Sequence, residues 1–319
     1  VTVPGNTVNR LCASGLQAIM DGARQIMCGD AEMIIACGVE SMTRAPFVIG
    51  KTESAFDRSS EMFDTTMGWR FINKNLSALH YPFGMGETAE NVAKQWNISR
   101  QEQDEFAFSS QQKYAAAKAA NKWDDEIAAV EINKKGLISW VVDDEHPRET
   151  SLVKLATLKP AFIKDGTVTA GNSSGINDGS AAMLLASEEA VKKYGLKPLA
   201  KITSMAVAGV DPAIMGIGPI PATQKALQRA GLKVDDVGLI ELNEAFASQS
   251  IACMRDLRLD STKVNVNGGA IALGHPLGCS GVRIATTLLH EMQKEDVRYG
   301  LATMCVGVGQ GAAVIFEKV

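Results

Sequence analysis

The chain of 319 residues is 46% apolar and 21% charged, carries a net charge of −4 and has six cysteines. A core of that size needs no disulfide staples, so free thiols in a reducing compartment are expected, with the cytoplasm as the default location. The small negative charge gives no electrostatic reason to expect nucleic acid or an anionic membrane as partner. No CxxC pair points to zinc or a thioredoxin-like motif, and no apolar run is long enough for a transmembrane helix.

In chain order, residues 1–44 read as turn, helix and strand. Ser14 is expected to cap an amphipathic helix over 16–28 whose stripe is Leu16, Ile19, Met20, Ala23 and Met27. Met33-Ile-Ile-Ala-Cys-Gly38 reads as a buried strand. Residues 45–165 mix loop signals with helices at 87–95 and from Arg100 to about Ala120, the latter opened by a Ser99/Glu102 capping box. Residues 166–186 return to strand, turn and apolar run. A second unit starts near Lys201, with a helix over 221–230, a strand over 237–241, a helix opened by Ser280-Gly281 and strands from Gly300 and Ala312. Setting Ser14-Gly15 on Ser280-Gly281 brings Cys37 close to Cys305, a weak internal repeat that suggests two similar α/β halves related by a pseudo-twofold. The expected division is an N-terminal half of 1–44 and 166–198, an inserted loop domain of 45–165, and a C-terminal half of 199–319.

Four short segments carry the chemistry. Cys12, in Asn9-Arg-Leu-Cys-Ala-Ser-Gly15, sits where an extended segment enters a helix, and there free amides and the helix dipole favour a thiolate. Its bland alternative is a small buried hydrophobe. His275, in Asn267-Gly-Gly-Ala-Ile-Ala-Leu-Gly-His-Pro-Leu-Gly278, has neighbours that need no histidine for packing, and its pKa near neutrality suits a base for a thiol. Cys305 ends a strand and precedes Gly307, Gly309 and Gly311, whose amides can approach an oxyanion. A dinucleotide fingerprint there fails, because only eight residues follow Gly311. Asn243, in Asn243-Glu-Ala-Phe-Ala247, could orient a water or serve as a helix N-cap.

Taken together, these segments and Thr169-Ala-Gly-Asn-Ser-Ser-Gly-Ile-Asn-Asp-Gly179 resemble the thiolase family along the whole chain. The resemblance implies a thiolase-like α/β fold of two βαβαβ-type halves with layered helices and mixed sheets. It implies an acyltransferase that cleaves 3-oxoacyl-CoA with CoA, or runs the reverse condensation. Cys12 would carry the acyl group, His275 would take its proton, and Cys305 would be the acid/base at the α-carbon. One oxyanion hole would be His275 with a water held by Asn243, the other the amides of Cys12 and Gly307. Ser174 would contact the pantetheine of CoA, and Ala170, Met85, Met215, Ala245 and Phe246 would line its channel. CoA is then a substrate, no metal or further cofactor is implied, and a homodimer or homotetramer is expected.

Two departures bear on these expectations. Members of the family carry roughly seventy to eighty more residues ahead of the nucleophile. Val1-Thr-Val-Pro-Gly-Asn-Thr-Val8 reads as a strand already entering a turn, so a missing N-terminal segment is expected, together with poor solubility or inactivity until it is restored. Gly84 also stands before Met85 where short-chain biosynthetic thiolases place histidine. Asp64-Thr-Thr-Met-Gly-Trp-Arg-Phe71 and Asp144-Glu-His-Pro-Arg-Glu-Thr-Ser151 are instead similar to degradative thiolases, including those for 3-oxoadipyl-CoA, in which Arg70 or Arg148 could meet a distal carboxylate. A decarboxylating ketoacyl synthase would need a second active-site histidine in place of Cys305, and His80, His146 and His290 lie in no suitable motif. A lipid carrier or inactive thiolase-like fragment is the remaining alternative.

Overall fold

The computed structural model describes residues 2–52 and 54–319. The chain opens with α1 (Ser14–Met27) and β1 (Met33–Glu40). The middle follows with β2 (Phe47–Ile49), β3 (Met62–Asp64), α2 (Lys74–Leu79), α3 (Met85–Gln95), α4 (Arg100–Ala119), β4 (Val130–Lys134), β5 (Leu137–Val141) and α5 (Leu152–Ala156). Then come β6 (Gly179–Ala186), α6 (Glu188–Tyr194), β7 (Ala200–Gly209), α7 (Pro219–Ala230), β8 (Leu239–Leu242), α8 (Ala247–Leu257), α9 (Ala270–Leu273), α10 (Leu277–Lys294), β9 (Tyr299–Val306) and β10 (Gln310–Lys318).

Four strands form the main sheet in the order β7-β10-β9-β8, with β8 and β9 parallel and the other pairs antiparallel. The parallel pair needs a crossover, and α8 to α10 supply it. Side chains alternate along β10: Ala312, Val314 and Phe316 meet α1 and α10, whereas Ala313 and Ile315 meet α7 and the residues around α8. Burial on both faces explains why β8 to β10 are mostly apolar, broken by the buried Glu241 in β8 and Thr303 in β9.

Helices α1 and α10 lie in the middle of the molecule, because the pair β1-β6 covers their other side. They approach through reciprocal glycines. A β-carbon at Gly15 would stand 2.8 Å from the Gly278 carbonyl oxygen and from the Val282 nitrogen. One at Gly281 would meet Leu16 and the Gly15 backbone. Only glycine permits this spacing, and it sets the two helix starts side by side.

Two local expectations need correction. Ser14 does not cap α1; it is the first helical residue, behind a 3-10 turn over Leu11–Ala13, and its hydroxyl donates to the Leu11 carbonyl at 2.7 Å. The β1 strand is buried on one face only, with Ile35 67% and Val39 70% exposed, since among the described residues α1 and α10 cover just one side of it. An apolar run of that length reads the same whether one face or both are covered. The Ser99/Glu102 box opens α4 as expected.

Candidate active site

The nucleophile turn is built from its own side chains. Leu11 takes a left-handed backbone with φ of 47°, and the Asn9 carboxamide holds it there by accepting the Leu11 amide at 2.8 Å. Arg10 ties the turn to Gln17 at 2.8 Å and to Gln310 at 2.6 Å. Cys12 follows at the head of α1, half-buried, with its own amide and that of Gly307 directed at the sulfur. These amides favour the thiolate, yet burial outweighs them and Glu40 adds to it, so the thiol is raised above its ordinary range. The expected amide contribution is present, and burial acts against it.

Cys305 arrives from the other side. It is fully buried at the end of β9, whose hairpin to β10 turns through Gly307, Val308 at φ 59° and Gly309 at φ 80°. A left-handed β-branched residue is uncommon, and it keeps the Gly307 amide facing Cys12. Burial raises the Cys305 thiol, and the nearby Cys12 raises it further. The two thiols therefore face each other across the Gly307 turn.

Asn243 follows β8, and its amide donates to the Thr303 carbonyl of β9 at 3.0 Å. Parallel strands thus deliver Asn243 and Cys305 at the same sheet end. The Asn243 Nδ2 lies 3.4 Å from His275 Nε2, both residues buried. His275 occupies the break between α9 and α10, where Gly274 at φ 95° turns the chain. Its Nδ1 meets the Ser280 hydroxyl at 2.5 Å, and that hydroxyl donates to the Pro276 carbonyl at 3.0 Å. With its proton committed, Ser280 accepts Nδ1–H and leaves Nε2 bare. Burial, then the charge of Arg283, pushes His275 down to about 4, so it is no near-neutral base but a neutral imidazole at rest.

The apolar wall assembles around Cys305. Met85, Met215, Ala245 and Phe246 gather there with Ala89 and Val168 in one cluster. Ser174 is half-buried beside it, and its amide donates to the Ala245 carbonyl at 3.0 Å. Ala170 belongs to the same loop but is exposed and lies outside the cluster.

Sequence reasoning missed Ser280, Glu40 and Glu244. Ser280 stands five residues after His275, in the first turn of α10, and nothing in the sequence marks that pairing. Glu40 accepts the Gly278 amide at 2.8 Å, near Cys12. Glu244, buried, accepts from the Ser110 hydroxyl at 2.7 Å and the Ile271 amide at 3.1 Å, locking the Asn243 segment to the one bearing His275. A single sequence gives no sign of either long-range contact. No described helix is long and apolar enough to cross a membrane.

Comparison with known proteins agrees with this geometry. Residues 1–189 match the family "Thiolase, N-terminal domain" and residues 196–318 match "Thiolase, C-terminal domain". The chain is 53% identical to the 3-oxoadipyl-CoA/3-oxo-5,6-dehydrosuberyl-CoA thiolase of Escherichia coli K12, over all of this chain and 80% of that protein. The crystal structure of the Bacillus anthracis acetyl-CoA acetyltransferase superposes with a TM-score of 0.93 at 43% identity, covering all of this chain and 80% of that one. That of human mitochondrial 3-ketoacyl-CoA thiolase in complex with CoA gives 0.90 at 45%, covering 98% and 78%. With two thiols, an imidazole and an asparagine brought to one sheet end, and both halves matched, the chain belongs to the thiolase family of acetyl-CoA C-acyltransferases.

Proposed function

We propose that this thiolase cleaves 3-oxoadipyl-CoA with CoA through an acyl-Cys12 intermediate. The observation that carries the mechanism is the pairing of Cys12 with Cys305 across the Gly307 amide, next to Asn243 and His275. His275 Nε2 takes the Cys12 proton as the sulfur attacks the 3-oxo carbon, and the Cys12 and Gly307 amides hold the resulting oxyanion. Collapse breaks the C2–C3 bond. The electron pair passes into the thioester enolate, whose oxygen the protonated His275 and a water held by Asn243 stabilise. Cys305 protonates its carbon and acetyl-CoA leaves. A CoA thiol then gives its proton to the Cys305 thiolate, attacks the acyl-Cys12 carbonyl and expels the Cys12 sulfur, which recovers the proton held by His275.

Raised thiols and a depressed imidazole suit this sequence, because each proton moves only as charge develops beside it. Met85, Met215, Ala245 and Phe246 are assigned to the pantetheine channel on the strength of the cluster around Cys305, and Ser174 and Ala170 on the loop whose Ser174 amide binds the Ala245 carbonyl. CoA serves as substrate, and no step calls for a resident cofactor or metal. The assignment of 3-oxoadipyl-CoA rests on the relative at 53% identity and on the segments around Arg70 and Arg148. We also assign residues 1–44 with 166–198 to one half and 199–319 to the other, because β1 pairs with β6 while β7 to β10 form their own sheet. A homo-oligomer in the cytoplasm completes the proposal.

Incubation with acetyl-CoA followed by intact mass and peptide mapping tests the mechanism. Acetyl is expected on Cys12, discharged by CoA and lost in Cys12→Ala. Label on Cys305 instead, or none on the folded protein, would refute it.

A further inference from the structure

The 3.4 Å contact between Asn243 and His275 joins two segments that are distant in the chain, and neither side chain fixes it alone. Asn243 Oδ1 is buried and accepts no hydrogen bond among the described residues. Its carboxamide is therefore placed by its backbone, which is tied to β9 through the Thr303 carbonyl. On the other side, His275 follows α9, a helix of four residues that is too short to hold its own direction. The orphan amides at the start of α9 need acceptors from elsewhere.

Glu244 serves both segments. It follows Asn243 in the chain, and its buried carboxylate accepts the Ile271 amide of α9 at 3.1 Å, four residues before His275. It also accepts from the Ser110 hydroxyl of α4 at 2.7 Å and from Asn265 Nδ2 at 2.8 Å. Ser110 in turn accepts the Gly269 amide at 3.0 Å, so the same network meets a second amide at the start of α9. Glycine at 269 permits the approach, since a β-carbon there would strike the Glu244 carboxyl. Every partner of that carboxyl is a donor. Asn265 cannot be turned round, because its Oδ1 accepts the Leu242 amide at 2.9 Å while its Nδ2 also donates to the Leu242 carbonyl at 2.8 Å. Burial raises the carboxyl above its ordinary range, opposed by the three donors and by the charge of Lys113 on α4. A proton on Glu244 would find no acceptor among these partners, so the geometry keeps it a carboxylate.

We propose that Glu244 is a positioning residue: by gripping the start of α9, its carboxylate sets how Asn243 and His275 face each other, with Ser110 as its support. The proposal rests on the mechanism above, in which the protonated His275 and a water held by Asn243 stabilise the enolate oxygen. A displacement of roughly 1 Å in such a pair costs up to about a hundredfold in rate.

The test is a double-mutant cycle read in kcat/KM for thiolysis of 3-oxoadipyl-CoA. Glu244→Gln keeps the shape but turns an amide N–H toward a donor. It is expected to lower kcat/KM about tenfold in the otherwise unchanged protein and less than about threefold in the Asn243→Ala background. Ser110→Ala keeps the carboxylate and removes its support, and should show a smaller loss with the same dependence on Asn243; it carries the test if the glutamine variant does not fold. Iodoacetamide labelling of Cys12 at the wild-type rate reports that each variant is folded around the nucleophile. A purely structural role gives the same factor with and without the Asn243 carboxamide. That result, or wild-type rates in both variants, overturns the proposal. An Asn243→Ala protein as fast as the wild type would instead sink the enolate reading on which the proposal rests.

Discussion

Burial holds the Cys12 thiol above its ordinary range and His275 at about 4, so neither carries charge in the resting protein at neutral pH. The site is poised by position, because Ser280 sets which imidazole nitrogen is bare and the Gly307 amide waits beside the sulfur. A measurable consequence follows for Cys12. Its modification by iodoacetamide should keep climbing through pH 9, where an activated thiolate would reach a plateau near neutrality. Glu40 is one cause of the raised thiol, so Glu40→Gln should speed the reaction at every pH below 9. A plateau below pH 7 in the wild type would contradict the account.

At the scale of elements, the sequence displays what neighbours along the chain decide. The box at Ser99 and Glu102 and the apolar stripe from Leu16 to Ala23 mark α4 and α1 because caps and periodicity are local. Ser14 misleads because Asn9 and Arg10 close a 3-10 turn ahead of the helix, which makes Ser14 its first residue. The exposed face of β1 depends on which layers pack on the sheet, and that is not written in Met33-Ile-Ile-Ala. Site residues were legible where a motif needs glycine or a lone reactive group, as at Cys12, His275 and Cys305. The supports Glu40 and Glu244 were not, since their partners lie 238 and 27 residues away. The contact of α1 with α10 yields a direct test. In Gly15→Ala the new methyl lands 2.8 Å from backbone atoms that cannot step aside, which should cost about 1–3 kcal/mol. Gly5→Ala, with open space around it, should leave the melting temperature unchanged. Equal melting curves for both variants would show that the helices have room to spare.

Across the whole molecule, buried charge couples stability to pH. Glu241 is buried against Arg283 at 3.2 Å, and burial pushes its carboxyl up to about 8 from 4.5. A carboxyl raised in the folded state lends stability that is complete below the unfolded value and drains away as pH rises to the folded one. Measured against Glu241→Gln, the wild-type melting temperature should therefore decline between pH 4.5 and about 8. A difference that stays flat, or grows with pH, would show that Arg283 keeps Glu241 ionised throughout. The reciprocal glycines of α1 and α10 have a larger meaning at this scale. The acyl-carrying sulfur heads one helix and the proton-taking imidazole stands before the other, so each region of the chain owns half of a reaction that neither can begin alone. Turnover is then a readout of assembly. A chain whose two helix starts drift apart falls silent before it unfolds, and acetylation of Cys12 reports how well the molecule is closed upon itself.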